Sequence, residues 1–173
     1  MTRRMVWMAG LVLLAMGGVS RADDAPVATI GPSGDTVDLS HRVGDQTVID
    51  RIPLHRSGDT RYFSAGVGLD ERAAKYPPFS LKLVFTAGGK PFLTGVSVTI
   101  KPAKGGAAIA IPAEEVDGPW LFVDLPPGVY DLTAVHRDRE QGVKGIKIET
   151  GKRKELQIRW PEDRGLAKAL PAE

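Results

Sequence analysis

Cysteine is absent from this sequence, and other residues that build reactive sites are scarce. The 173 residues include no Cys and three His, and aromatic residues make up 6% of the chain. Without cysteine the protein has no disulfide, no thiol chemistry, no cysteine metal site and no lipid attached at a processed cysteine. Its stability must come from a hydrophobic core, which one domain of this length can supply.

The longest apolar stretch lies at the N-terminus and predicts export. Val6–Val19 follows the basic pair Arg3-Arg4, and Ser20-Arg21-Ala22 places small residues where a signal peptidase cleaves. We interpret residues 1–22 as a bacterial Sec-type signal peptide cleaved before Asp23, which leaves a periplasmic or secreted protein. An uncleaved membrane anchor is the alternative, but the stretch is short and interrupted by glycines. We therefore expect a mature protein that does not span the membrane.

A strong excess of one charge is also absent once the signal peptide is removed. The full chain carries 23 Lys and Arg against 21 Asp and Glu. Arg3, Arg4 and Arg21 belong to the signal peptide, which has no acidic residue, so 20 basic and 21 acidic residues remain, a net charge of −1. The mature chain therefore shows no basic excess of the kind that predicts nucleic-acid binding.

Two segments near the C-terminus alternate apolar and polar residues, as strands with one buried face do. The first is Val129–His136, and the second ends at Trp160, before Pro161. The intervening Val143–Glu149 keeps this alternation only in part, and Gly145 predicts a bulge or register change within it. We expect these segments to direct six side chains into one core: Tyr130, Leu132, Ile146, Ile148, Leu156 and Ile158.

The turn before the first of these strands carries a recognisable motif. Pro126-Pro127-Gly128 predicts a tight turn, because proline presets φ and glycine tolerates positive φ. Leu125-Pro-Pro-Gly-Val-Tyr130, with Val143–Lys152 after it, resembles the carboxypeptidase regulatory-like domain, whose pattern centres on Leu-x-Pro-Gly-x-Tyr. Lys90–Ile100 is similar to the strand entry of that family, with Val96 where alanine is usual, and the opening strand Leu81–Phe85 lacks the glycine often found there.

The resemblance covers residues 80–160 and carries expectations about fold and role. It implies an all-β protein with a seven-stranded, Greek-key, transthyretin-like β-sandwich. In the carboxypeptidases that name the family, this module is a non-catalytic accessory. The stretch Phe63–Arg72 leading into Leu81–Phe85 also looks like the start of small exported bacterial proteins that carry this domain.

The remaining chain divides into an N-terminal extension, residues 23–79, and a C-terminal tail, residues 161–173. We expect the extension to be partly irregular, with a flexible leader over Asp23–Gln46, because that stretch is polar and rich in breakers. Thr47–Ile52 predicts one strand, closed by Pro53. Leu69–Lys75 predicts a short helix, capped by Asp70 and ended by prolines. In the tail, Glu162–Leu170 predicts one weak helical turn.

A repeat within the extension allows two interpretations. Ser33–Gly44 and Ser57–Gly68 match at seven of twelve aligned positions. A duplicated strand-and-turn unit is one explanation, although two copies do not make a solenoid. Reuse of a favourable Ser-Gly-Asp-Thr turn is the explanation that we favour, because those residues are common in turns.

The three histidines do not show the spacing of a metal site. Metal sites need ligands at spacings that converge, and His41, His55 and His136 lie far apart in the sequence. His136 could share a face with Asp138, but Arg137–Gly142 predicts a charged hairpin turn that leaves His136 at a strand end. We therefore predict no metal ligand, no cofactor and no cofactor-binding residue.

Catalytic motifs are missing as well. The sequence contains no nucleophile elbow and no phosphate-binding P-loop. We expect Glu114-Glu115 to be solvated, and we assign Trp120 and Trp160 to the core rather than to ligand platforms. The acids closest to the predicted strands are expected in turns or on solvent-facing positions, so we predict no catalytic residue; these acids are Asp117, Asp124, Asp131 and Asp138.

Two classes of function follow from this sequence. The first is a non-enzymatic accessory or interaction module with an unknown protein or cell-envelope partner, which acts through exposed loops or through strand pairing at a sheet edge. Lys101–Gly106 and Arg137–Glu140 are candidate loops. The second is a transthyretin-like carrier of a small ligand, or a hydrolase. The sequence favours the first class, because the second needs a polar cluster that no motif predicts.

Overall fold

A computed structural model describes residues 25–88 and 92–161. The predicted signal peptide and the predicted helical turn of the tail lie outside these ranges. The described residues are mostly β-strand, as the predicted all-β class requires, and no helix among them is long and apolar enough to cross a membrane. Their elements are β1 (Val27–Ile30), β2 (Thr36–Val43), β3 (Gln46–Pro53), β4 (His55–Ser57), β5 (Thr60–Ala65), α1 (Leu69–Ala73), β6 (Leu81–Ala87), β7 (Ser97–Pro102), β8 (Ile109–Ile111), a 3₁₀ helix (Ala113–Glu115), β9 (Trp120–Val123), β10 (Gly128–His136), β11 (Arg139–Ile148) and β12 (Lys154–Trp160).

These twelve strands form three sheets within the described ranges. One has the order β12-β6-β9-β5-β4, another the order β11-β10-β7-β8, and the third the order β1-β2-β3. Neighbouring strands are antiparallel except for β12 and β6, which are parallel. Seven strands, β6 to β12, lie within residues 80–160. Because β5 pairs with β9, the predicted boundary at residue 79 falls inside one sheet rather than between two units.

The main core lies between the five-stranded and the four-stranded sheets. Leu83, Ile100 and Leu132 are fully buried in it and come from one sheet or the other. All six side chains expected to share a core belong to this cluster, and Leu156 is the only one of the six that is partly buried. The predicted strand phases are therefore confirmed.

A second core lies on the other face of the five-stranded sheet, under β1-β2-β3. Val37 and Leu39 of β2 pack there with Phe63 and Phe122, whose rings stack with centroids 4.7 Å apart. The expectation of a flexible leader is wrong for the described residues 25–46, which contain β1 and β2, and the extension contains five strands rather than one. A few alternating apolar residues are sufficient to form this small sheet, because only its face towards the five-stranded sheet has to be apolar.

The β10–β11 hairpin contains the predicted irregularity. Tyr130 is opposite Ile146 and Leu132 is opposite Val143, so two residues of β11 face Asp131 alone. Gly145 has a φ of 69°, and its N–H donates to Oδ1 of Asp131 at 2.9 Å. The extra residue brings Val143, out of phase in the sequence, back to the core. The bulge is confirmed.

The Pro-Pro-Gly turn is held by the tyrosine that follows it. The Tyr130 hydroxyl donates to the Pro126 carbonyl at 2.8 Å, which folds the ring back over the turn. Gly128 is not among the glycines with positive φ, so the conformational reason expected for it is wrong. A Cβ at residue 128 would lie 3.2 Å from the Tyr130 ring. The turn therefore needs glycine mainly for space.

The short helix ends earlier than predicted and has no side-chain cap. It spans Leu69–Ala73, and Asp70 does not cap it. Oε2 of Glu71 instead accepts hydrogen bonds from the backbone N–H groups of Gly66 and Val67, at 2.6 and 3.1 Å. Asp70 is directed towards His41 of β2, so its role is a tertiary contact rather than a local one.

Both copies of the repeated Ser-Gly-Asp-Thr sequence form turns. Gly34 has a φ of 76° and Gly58 has a φ of 60°, and each precedes a strand that begins at the threonine. Positive φ in a turn is the conformation that glycine adopts at little cost. The shared sequence thus corresponds to shared turn geometry.

Candidate functional site

Two adjacent clefts open at the end of the molecule where β11 turns into β12. The larger, of about 390 Å³, lies between Asp124–Pro127, Pro78–Ser80 and the β11–β12 turn. The smaller, of about 240 Å³, is lined by residues of that turn and by Lys147 and Lys154 at its two ends. Both are lined by Glu149, Lys152 and Arg153. We call the two clefts together the turn groove.

Arg153 fixes the base of the turn groove to the rest of the fold. Its guanidinium donates to the backbone carbonyls of Phe79, at 3.1 Å, of Tyr76, at 3.3 Å, and of Pro77. It also lies 5.3 Å from the centre of the Phe122 ring. Burial lowers the pKa of Arg153. Because carbonyls and an aromatic ring hold this cation, the turn is anchored without the use of a carboxylate.

Ser80 anchors the opposite wall. Its hydroxyl donates to the Leu125 carbonyl at 2.8 Å and accepts from the Leu125 N–H at 2.8 Å. Next to it, the Arg61 guanidinium contacts the Asp124 carboxylate at 2.6 Å. These contacts place the β9–β10 turn at a defined distance from the β11–β12 turn, so the larger cleft is an opening between two anchored loops.

Charged side chains dominate the smaller cleft. Glu149 lies between two ammonium groups, with its Oε1 2.7 Å from Lys147 Nζ and its Oε2 2.8 Å from Lys152 Nζ. Hydrogen bonds from Lys147, the larger effect, and from Lys152 lower the pKa of Glu149 to about 2. The same hydrogen bonds raise the pKa of both lysines. In the sequence, this segment is interpreted only as an alternating strand and as part of the family motif. The closely spaced cations between residues 147 and 154 are the feature of the sequence that could have indicated this charged cleft.

His136 lies where the sequence predicts it, at the end of β10. The ring centre is 6.1 Å from that of Trp160, and both residues line a cavity of about 20 Å³. Arg137 and Asp138 form the turn that follows, with φ values of 48° and 63°. This turn is shorter than the predicted Arg137–Gly142, because β11 already begins at Arg139 and pairs with His136. Across residues 25–88 and 92–161, no three potential ligands group as a metal site would need.

His41 forms a cluster that no sequence motif indicates. Its Nε2 lies 2.9 Å from Asp50 Oδ2 and its Nδ1 lies 3.2 Å from Asp70 Oδ2. The ring is almost buried, with 9% of its side chain exposed. Since the two ring nitrogens diverge, these carboxylates cannot converge on one ion with the ring between them. The cluster connects β2 and β3 to α1.

His55 belongs to a second cluster, with Tyr62 and Glu115. The Tyr62 hydroxyl donates to Glu115 Oε2, and His55 Nδ1 lies 3.7 Å from Glu115 Oε1. Burial, followed by this hydrogen bond, raises the pKa of the Tyr62 phenol. Glu115 was expected to be solvated, but its side chain is only 31% exposed because the 3₁₀ helix directs it against β4 and β5.

The four aspartates and two tryptophans singled out in the sequence have structural roles or exposed positions. Asp117 and Asp138 are exposed, and Asp124 and Asp131 make the contacts described above. Trp160 is buried in the main core, as expected, and its indole N–H donates to the Arg139 carbonyl at 2.9 Å. Trp120 is half-buried beside the second core, with Lys82 Nζ 3.9 Å from the centre of its ring.

Comparisons with known proteins do not assign this chain. No family model matches it, and no curated protein or solved structure matches it either.

Proposed function

We propose that this protein is an exported, non-enzymatic β-sandwich module with an accessory or protein-interaction role in the periplasm or outside the cell. The observation that carries this proposal is the turn groove. Its walls are loops that hydrogen bonds from Ser80 and Arg153 anchor to one another. Loops held in this way on a rigid scaffold are where binding residues are most often found.

We further propose that residues 80–160 form a carboxypeptidase regulatory-like domain of seven strands with transthyretin-like, Greek-key topology. Three observations support it. The Leu-x-Pro-Gly-x-Tyr motif builds one local unit, because Tyr130 bonds to Pro126 across the space that Gly128 leaves. Seven strands lie in this range. Two sheets enclose one core with side chains from all seven strands.

A carrier or hydrolase of transthyretin-like type is the second candidate. The observation that favours it is the cluster of His55, Tyr62 and Glu115, in which a carboxylate lies beside an imidazole and a phenol. A hydrolase would need a nucleophile or activated water within reach of a base. A hydrolytic activity that Glu115→Gln abolishes, while Glu114→Gln retains it, would favour this candidate over the interaction module.

The test of the proposed function is photo-crosslinking in the native bacterium. A photoreactive residue at the exposed position Thr150 reports on the turn groove, and one at the exposed Asp59, in the β4–β5 turn, reports on the far edge of the five-stranded sheet. We expect a discrete crosslinked protein from position 150 and none from position 59. Equal patterns from both positions, or none from either, would contradict the proposal.

Export is tested on the same material by intact mass. We expect the soluble exported protein to begin at Asp23, because cleavage follows the small residues of Ser20-Arg21-Ala22. A soluble protein that retains residues 1–22 would show that the signal-peptide interpretation is wrong.

A further inference from the structure

The smaller cleft of the turn groove carries a concentrated positive charge. Its five lining residues are four cations and one carboxylate, namely Lys147, Lys152, Arg153, Lys154 and Glu149. This is an excess of three positive charges at one place in a chain whose predicted mature form has a net charge of −1. Such a patch raises the local concentration of an anionic ligand and steers its approach.

Two of these cations make no hydrogen bond or ion pair with a carboxylate among the described residues, although Glu155 interacts with Arg153 at longer range. Arg153 donates only to backbone carbonyls, which hold its guanidinium in position but leave its charge available. Lys154 is exposed and has no ion pair in the described part of the chain. The smaller cleft therefore has positive charge that Glu149 does not neutralise.

The other two cations already hold a carboxylate. Lys147 and Lys152 each contact one oxygen of Glu149, at 2.7 and 2.8 Å. All three side chains are accessible, with 72%, 75% and 39% of Lys147, Lys152 and Glu149 exposed. A carboxylate from a ligand can therefore make the same two contacts after a side-chain rotation of Glu149. Glu149 acts as an internal substitute for that ligand.

The larger cleft continues from this charged region along the Pro126-Pro127 turn, whose prolines are exposed. Exposed prolyl rings offer apolar surface to the side chains and backbone of an extended peptide, as proline-lined and aromatic-lined grooves do elsewhere. A chain whose acidic groups must reach Lys147, Lys152 and Lys154 while its neighbours lie along Pro126 fits this arrangement. A polypeptide can alternate acidic side chains with apolar ones, whereas an acidic glycan presents hydroxyl groups along its whole length.

We propose that the turn groove binds an acidic polypeptide segment in an extended conformation, and that carboxylates of this segment displace Glu149 from Lys147 and Lys152. This inference rests on the proposed function, because it assigns the chemistry of the partner to the same groove. It makes predictions of opposite sign for neighbouring residues: removal of a lysine weakens binding, and removal of the Glu149 charge strengthens it.

The experiment measures fluorescence anisotropy of a labelled, end-blocked peptide of alternating Glu and Ala in about 0.02 M salt, where charges are weakly screened. A Gln and Ala peptide is the matched neutral probe. We expect the full mature chain to bind only the Glu peptide. The pair Lys152→Ala and Lys154→Ala should weaken binding by about tenfold, and Glu149→Gln should tighten it by about threefold.

A control pair removes the same charge at another edge of the fold. Arg51 of β3 and Arg56 of β4 are exposed and line neither cleft, so Arg51→Ala with Arg56→Ala should leave binding unchanged. Because every substituted side chain is accessible, we expect all variants to fold, and their unfolding midpoints verify this. Equal weakening by both pairs, or weaker binding by Glu149→Gln, would overturn the inference.

Two further outcomes are decisive. An acidic oligosaccharide with the same number of carboxylates should bind more weakly than the Glu peptide, and tighter binding would overturn the choice of a polypeptide. The crosslink from position 150 separates this inference from the proposed function. If the crosslink forms but the Glu peptide does not bind, the acidic-segment inference fails while the interaction module stands.

Discussion

Tyr130 performs two tasks that belong to different parts of one side chain. Its ring contributes to the main core, with 5% of the residue exposed, and its hydroxyl closes the Pro-Pro-Gly turn through the Pro126 carbonyl. Burial raises the pKa of this phenol, so the hydroxyl keeps its proton at ordinary pH. The motif that suggested a family is thus a local device in which a turn, a glycine and a tyrosine depend on one another.

Tyr130→Phe tests the second task alone. The substitution keeps the ring and removes one hydrogen bond, so we expect the free energy of unfolding to fall by about 1 kcal/mol. Urea unfolding measures it, with Val129→Ala as the control because Val129 is exposed on the other face of β10. An unchanged midpoint for Tyr130→Phe would show that the turn does not need this bond.

The lowered pKa of Glu149 can be measured without a ligand. Its pKa is lowered from an ordinary 4.5 to about 2 by Lys147 and Lys152. Because the folded state holds this proton less tightly than the unfolded state, the stabilisation is fully present above about pH 4.5 and is lost as pH falls towards 2. Carbon NMR of the carboxyl group should show the low value, and Lys147→Ala with Lys152→Ala should return it towards 4.5. A wild-type midpoint near 4.5 would contradict the observed geometry.

At the level of elements, the β10–β11 hairpin combines a favourable bulge with an unfavourable turn. Gly145 adopts positive φ at little cost, but Arg137 and Asp138 adopt it with full side chains. Two-residue hairpin turns with positive φ at both positions prefer Asn-Gly. The hairpin is therefore held by its strands rather than by its turn.

Replacement of this turn by Asn-Gly should stabilise the protein. Left-handed backbone costs an ordinary L-residue roughly 1–2 kcal/mol, and part of that cost is relieved. We expect Arg137→Asn with Asp138→Gly to raise the free energy of unfolding by about 1 kcal/mol in chemical denaturation. Arg137→Ala, which keeps a Cβ at positive φ, is the control and should give no gain. A loss of stability in the Asn-Gly variant would mean that the native side chains make contacts worth more than the strain.

At the level of the whole molecule, the five-stranded sheet has a core on each face. The main core lies against the four-stranded sheet, and the second core lies against β1-β2-β3. Leu39 is completely buried in the second core and Leu132 is 2% exposed in the first. The small sheet also contacts α1 through His41 and Asp70. Backbone hydrogen bonds between Lys75 and the β1 end of the sheet, to Pro26 and from Ala28, add a further attachment.

Hydrogen exchange of Leu39→Ala and Leu132→Ala distinguishes the two cores. Each truncation should cost about 2–5 kcal/mol in its own core, because each leaves a cavity among buried neighbours. We expect Leu39→Ala to accelerate amide exchange mainly in β1 to β3, and Leu132→Ala to accelerate it throughout β6 to β12, since cores unfold as partly independent units. Equal acceleration everywhere in both variants would show that the layers unfold as one unit.

The sequence by itself determined the strand phases, the bulge at Gly145, the position of the hairpin after His136 and the turns with Gly34 and Gly58. Each depends on a pattern of neighbouring residues, either alternation of apolar side chains or the backbone freedom of glycine. Only the tertiary structure decided that residues 25–46 form strands over Phe63 and Phe122, because the apolar face that they cover lies elsewhere in the chain. The turn groove and the clusters at His41 and His55 also join residues distant in sequence. Their chemistry arises from sheet pairing and loop contacts, which no local pattern of residues encodes.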